Sequence, residues 1–176
     1  MSRAGRIDET IINFQVYEDD IEYYGMAEVT MPEISYITQE ISGAGIAGNI
    51  ESVVLGHFES MTLGLSFRTL TKDAISLLEP REHQLELRVA QQNRDTVGAT
   101  TNVVALKHVF VVKPKQLSPG NVAPASPADA SGEYAVSYWK TLIDGEKVLE
   151  IDPLNMIYFV NGRDYLEPVR AALGKS

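Results

Sequence analysis

Cysteine is absent from the 176 residues. That excludes a disulfide framework, thiolate zinc sites and cysteine nucleophiles, and leaves the redox compartment open. Long apolar runs are missing as well. None approaches the ~18 residues that a membrane span requires, so no membrane partner is expected. The opening MSRAGRIDET has two arginines with no apolar stretch behind them, and no signal peptide is expected there. Clusters of basic residues are also scarce. The net charge is −9, and the excess sits in the first sixty residues, where eleven acids face only Arg3 and Arg6. The other 116 residues carry thirteen acids and thirteen bases. This balance argues against binding nucleic acid by phosphate neutralisation, which needs grouped Lys and Arg.

What the chain has is period-two alternation. Met61, Leu63, Leu65 and Phe67 alternate with Thr62, Gly64 and Ser66, and Leu85, Leu87 and Val89 alternate with Glu86 and Arg88. Successive strand side chains point to opposite faces, so each segment covers a core with one face and shows water the other. Further strands are predicted over 11–17, 22–31, 34–42, 51–56, 102–112, 134–143, 146–151 and 156–160, all rich in β-branched or aromatic residues. Asp144-Gly145 and Asn161-Gly162 are turn signals. Two short helices are expected. Thr71 caps one that runs to about Glu79 and stops at Pro80; Asp164 caps another with Leu166, Val169 and Leu173 as its apolar stripe and Gly174 at its end. The expected fold class is mainly β, a sandwich or barrel with short flanking helices, in a single domain over 1–176. Residues 113–133, rich in Pro, Ala, Ser and Gly, are expected to form a long mobile loop inside that domain.

Motifs suggestive of chemistry do not develop into sites. Gly43-Ala44-Gly45-Ile46-Ala47-Gly48 matches the dinucleotide fingerprint, but a phosphate cradle needs a helix N-terminus from about Asn49. The following NIESVVLGHF is β-branched instead, so the glycines are read as a strand-connecting loop. His57, His83 and His108 lack partners at metal-ligand spacing. Ser66 lies mid-strand without the second glycine of a nucleophile elbow. Asp19-Asp20 reads as a solvated hairpin tip, and Tyr134, Tyr138 and Trp139 as core plus interface. No catalytic residue, metal or cofactor is expected, and the chain is read as a non-enzyme. Two rival readings are a β-sandwich ligand-binding module and a nucleotide-using enzyme built on the glycine loop.

The most specific segment is YAVSYWKTLIDGEKVLEIDPLNMIYFVNGRDYLEPVRAALG. With its Tyr-rich strand, Asp144-Gly145, Glu150-Ile151-Asp152-Pro153, Asn155 and Val160-Asn161-Gly162, it resembles the C-terminal signature of major tail tube proteins. These belong to contractile-tailed phages and R-type bacteriocins, and their tube fold is shared with type VI secretion tubes. Tyr24-Gly25, Val29-Thr30-Met31-Pro32 and the glycine loop fit the same family upstream; the stretch 80–133 departs from it.

The resemblance implies a structural virion protein whose hexameric rings stack into the inner tube of a contractile tail, the conduit for DNA ejection or membrane puncture. Its implied partners are other copies of itself, the sheath, a tail terminator, a tape measure or baseplate initiator, and DNA in non-specific transit. Its implied place is the tail of a virion or tail-like particle, assembled in the host cytoplasm. Within 27–41 the odd positions Ala27, Val29, Ile37 and Ile41 are mainly apolar and are expected on the core. Glu28, Thr30, Thr38 and Glu40, with Thr62 and Ser66, then face the lumen, and Arg68 pairs with an acid. The glycine loop 43–48 and the segment containing Pro119 and Pro124 are expected to make contacts between subunits.

Overall fold

The computed structural model describes residues 5–23 and 25–175; Arg3 and Tyr24, used above, lie outside them. Three tight turns organise the meander, each built on two consecutive residues with positive φ. Asp19-Asp20 joins β1 (Arg6–Glu18) to β2 (Ile21–Tyr23), Asp144-Gly145 joins β9 (Ala130–Ile143) to β10 (Glu146–Asp152), and Asn161-Gly162 joins β11 (Ile157–Val160) to β12 (Arg163–Asp164). Left-handed pairs of this kind match the right-handed twist of the strands they connect, and Asn, Asp and Gly tolerate them best.

The remaining strands are β3 (Met26–Thr30), β4 (Tyr36–Ile41), β5 (Ile50–Phe58), β6 (Met61–Phe67), β7 (His83–Asp95) and β8 (Thr101–Ser118). Ten strands form one antiparallel sheet, in the order β12-β11-β10-β9-β8-β7-β1-β2, with β6 also on β9 and β3 on β6. The mainly β expectation holds.

The architecture turns on β9. Along one edge it pairs with β8 throughout. Along the other, residues 130–136 pair with β6 and 139–143 with β10. That fork lets β6 and β3 leave the plane of the C-terminal strands. Val16 of β1, Leu63 and Leu65 of β6, Leu85 of β7, Phe110 of β8, Tyr134 of β9 and Ile151 of β10 all join one core, so the sheet wraps around it. The alternation in β6 is complete: Met61, Leu63, Leu65 and Phe67 are buried, and Thr62, Gly64 and Ser66 between them are not.

Four expectations need correction. Residues 113–133 are not all loop: β8 continues to Ser118 and β9 begins at Ala130, leaving only 119–129 between strands. Small residues are required there. Ala130 is fully buried, and a Cβ on Gly132 would come within 2.5 Å of the Tyr134 hydroxyl. At the start of β9, composition that looks disordered is therefore tight packing, whereas the 119–129 loop is largely exposed.

The strands predicted over 22–31 and 34–42 form as β3 and β4, but the core face read across 27–41 does not carry over the break between them. Between Thr30 and Tyr36 the chain carries buried Pro32, which has no N–H for a ladder. Of the four residues expected on the core, Val29 packs against it, while Ala27, Ile37 and Ile41 are exposed.

Asp164 is not an N-cap. Helix α2 (Glu167–Ala172) begins after Leu166, where Pro168 sits in its first turn. Asp164 instead accepts from the Leu166 N–H at 3.0 Å and from Arg170 at 2.6 Å, tying the helix to β12. Helix α1 (Lys72–Ser76) is capped by Thr71 as expected, through a 3.2 Å bond from the Ala74 N–H.

Arg68 has no acid within ion-pair distance among the described residues. Its carbonyl accepts from the Ala128 and Asp129 N–H groups and anchors the end of the 119–129 loop.

Candidate assembly surfaces

Directly opposed residues in an antiparallel pair share a face. On β3, β6 and β9, Glu28 lies opposite Ser66, Ser66 opposite Ser131, and Thr62 opposite Ala135. Thr30 opposes Gly64, which opposes Glu133. The structure thus gathers Glu28, Thr30, Thr62 and Ser66 on one polar face, the reverse of the face that packs the core. The Lys115 ammonium reaches Thr62 at 3.3 Å and adds a base at its margin. A shallow depression of about 500 Å³ runs along this face past Thr30, Thr62, Ser66 and Glu133.

Thr38 and Glu40 are elsewhere. Strands β4 and β5 pair only with each other, as a two-stranded arm separate from the main sheet. Glu40 lies directly opposite Glu51, and the Thr38 hydroxyl donates to Glu51 at 2.7 Å. Like charges facing each other across strands oppose pairing. The arm also exposes Ile41, Ile50, Val53 and Leu55, all at 43% or more. Residues 43–48 of the glycine loop form its tip, all exposed. A strand follows them, not the helix that a nucleotide cradle needs.

The root of the arm is held firmly. Tyr36 packs on Phe58 at 5.0 Å between ring centroids, Phe58 on Tyr158 at 4.9 Å, and the Tyr36 and Tyr158 hydroxyls share a hydrogen bond. Burial raises the Tyr158 hydroxyl to about 12, so it stays protonated at neutral pH. Gly56 (φ +66°) lies under Leu166, and a Cβ there would come within 2.3 Å of that side chain. Here glycine is needed both for its backbone angle and for close approach. Beside it lies an apolar pocket of about 280 Å³ lined by Leu55, Phe58, Val169 and Leu173.

On the outer face of the main sheet a larger groove, of about 670 Å³, crosses β1, β7, β8 and β9. Its floor is Ala90 opposite Ala105, and its rim is Arg88 opposite Lys107. Glu86 bridges both bases. Its carboxyl is pushed up by burial, but the bonds from Arg88 and Lys107 more than offset this and hold it below the usual range.

The histidines differ in environment. His57 is exposed on the arm, and His108 bonds Thr141 at 2.8 Å. His83 is fully buried against Glu18, a contact that the sequence gives no sign of because the two stand 65 positions apart. Among the described residues, no three His, Cys, Asp or Glu side chains gather as a metal site would require. Tyr134 and Trp139 are buried in the core, whereas half-buried Tyr138 donates to Glu150 at 2.8 Å.

A curled antiparallel sheet with one polar face and a two-stranded arm that pairs only with itself defines the class, a β-structured subunit. The family model described as phage tail tube protein FII matches residues 8–174, and the chain belongs to that family. It is 25% identical to the tail tube protein of Escherichia phage P2 over 172 residues, covering 90% of this chain and 93% of that one. Its fold is similar to that of a chain in the extended-state sheath/tube terminator of an extracellular contractile injection system, PVC. There the TM-score is 0.53 and identity 14%, over 74% of this chain and 94% of the other. A chain of the extended sheath-tube complex of that system gives a TM-score of 0.50 at 15% identity, over 74% and 88%. The protein is a structural tail tube protein of a virion tail or tail-like particle.

Proposed function

We propose that six copies of this chain close into a ring, that rings stack into a tube, and that the polar face bearing Glu28, Thr30, Thr62 and Ser66 lines its bore. The observation that carries the reading is the arm: a β-hairpin exposing Ile41, Ile50, Val53 and Leu55 is an unfavourable surface for a lone subunit. A heterologous contact repeated by rotation closes a ring, while stacking along the axis stays open-ended. The solved structures it resembles are a sheath/tube terminator and a sheath-tube complex, which supports a sheath outside this tube and a terminator at its end. A tape measure or baseplate initiator would start it, and assembly would take place in the host cytoplasm. Pro119 and Pro124, exposed in the 119–129 loop, are assigned to contacts outside the subunit.

A conduit for DNA should not grip phosphates. Glu28 and Glu133 on the bore face repel them, and six copies together carry a charge of about −54. The test is light scattering and negative-stain microscopy of purified protein at increasing concentration. Rings and tubes of uniform width are expected. A species that stays monomeric near millimolar concentration at every salt tried overturns the proposal.

A further inference from the structure

The arm and the sheet groove are complementary in charge, shape and spacing. Residues 33–59 hold four glutamates (Glu33, Glu40, Glu51, Glu59) and no lysine or arginine. Exposure alternates along β5, so Glu51, Val53 and Leu55 stand on its open face, with Glu40 opposite Glu51. The groove repeats that order with opposite charge: the Arg88–Lys107 pair, then the Ala90–Ala105 pair two residues along, then Val103. Both surfaces advance by two residues, roughly 6.6 Å, per step of the strand repeat. When the carboxylates of Glu40 and Glu51 meet the bases, Val53 and Leu55 fall on the alanine floor. Glu86 does not exhaust the bases: the Arg88 guanidinium also lies over the Tyr17 ring at 4.5 Å, yet the Arg88 and Lys107 side chains remain 52% and 43% exposed. The arm cannot fill this groove in its own subunit, since its root is fixed at Tyr158 and Leu166 beyond β10.

We propose that the groove over Ala90 and Ala105 is the receptor for the β4–β5 arm of a second copy, with Glu40 and Glu51 of one subunit on Arg88 and Lys107 of the next. This rests on the self-assembly reading above and names the contact that carries it. Burying Val53 and Leu55 removes apolar surface from water. Bringing opposite charges to Glu40 and Glu51 also relieves their mutual repulsion.

The experiment is a charge swap on the full chain. One variant carries Arg88→Glu and Lys107→Glu; the other carries Glu40→Lys and Glu51→Lys. Each alone should raise the concentration needed for assembly roughly 10- to 100-fold. Mixing the two should restore assembly, because each groove then meets an oppositely charged arm, and the fourfold variant should assemble alone. Should the wild type assemble and both doubles match it, the groove is not the receptor, while the tube reading survives. Should both doubles fail and neither mixture nor fourfold variant recover, the arm and the groove do not pair with each other. A wild type that never assembles instead overturns the tube reading itself. Because charge reversal beside Glu86 can impair folding, Ala105→Trp provides a second arm. It fills the floor without touching a charge and should block assembly with an unchanged melting temperature; normal assembly of a folded Ala105→Trp protein overturns the docking site.

Discussion

His83 Nδ1 lies 2.5 Å from Glu18 Oε1, in a contact where His83 is fully buried and Glu18 is 5% exposed. The second ring nitrogen of His83 faces the Glu79 carbonyl at 3.0 Å, and a carbonyl can only accept. Arg81 donates to the same Glu18 oxygen at 3.1 Å, and the Tyr23 hydroxyl donates to the other. One carboxylate at the end of β1 thus fastens β2, the segment after α1 and the start of β7.

Glu18→Gln should therefore cost about 3–5 kcal/mol, because it leaves buried donors facing a neutral amide. Urea unfolding monitored by circular dichroism measures this directly. A loss under 1 kcal/mol would mean that the cluster is not a fastener.

The same residue predicts behaviour in acid. Burial alone would push the Glu18 carboxyl up, but the bonds from Tyr23 and His83 and the nearby Arg81 hold it below the usual glutamate range. A carboxyl lowered in the folded state contributes stability at neutral pH and loses it as pH falls through that lowered value. Wild-type stability should drop as pH descends below the ordinary glutamate range, and Glu18→Gln should flatten that drop. Parallel curves for the two proteins would refute the assignment.

His108 sets a second window. Burial drops its imidazole from 6.5 to about 4, so folding keeps it neutral where the unfolded chain would take a proton. Its contribution is complete above pH 6.5 and fades as pH falls towards 4. The melting temperature of His108→Gln should decline less steeply across that interval than that of the wild type. Equal slopes would show that the ring is not protected from water.

Gly56→Val should disturb the arm more than the core. The new side chain would occupy space held by Leu166, at a φ of +66° that a β-branched residue avoids. Roughly 1–3 kcal/mol is expected from overpacking, with assembly lost while the spectrum of the main sheet persists. Normal assembly by Gly56→Val would show that the posture of the arm is not set at this contact.

Replacing Val122–Pro127 with two glycines should leave stability within about 1 kcal/mol, since shortening a loop changes its closure entropy slowly. The bonds from Ala128 and Asp129 to Arg68 lie outside the replaced stretch. Unfolding of that variant would mean the segment belongs to the core.

The strands and turns were legible because they are local. Alternation in 61–67 and the pairs Asp144-Gly145 and Asn161-Gly162 state which face is buried and where the chain reverses, using only neighbours in sequence. Family membership was legible in the C-terminal run for a similar reason, since its residues and their spacing lie close together along the chain. Four of the six residues read as one polar face, Glu28, Thr30, Thr62 and Ser66, do share one, because 28–30 of β3, beyond its bulge at Ala27, pair in unbroken register with β6. Thr38 and Glu40 do not join them, because parity carries no information across a break such as Met31–Ser35.

Tertiary structure decided what depends on distant partners. Nothing local in Ala130 or Gly132 reveals that Tyr134 and the core demand small side chains there, so the start of β9 read as loop. Nothing local shows β9 dividing one edge between β6 and β10, the Leu166 side chain lying over Gly56, or Glu18 meeting His83. Period and turn chemistry act between adjacent residues, whereas packing acts between surfaces that only the folded chain brings together.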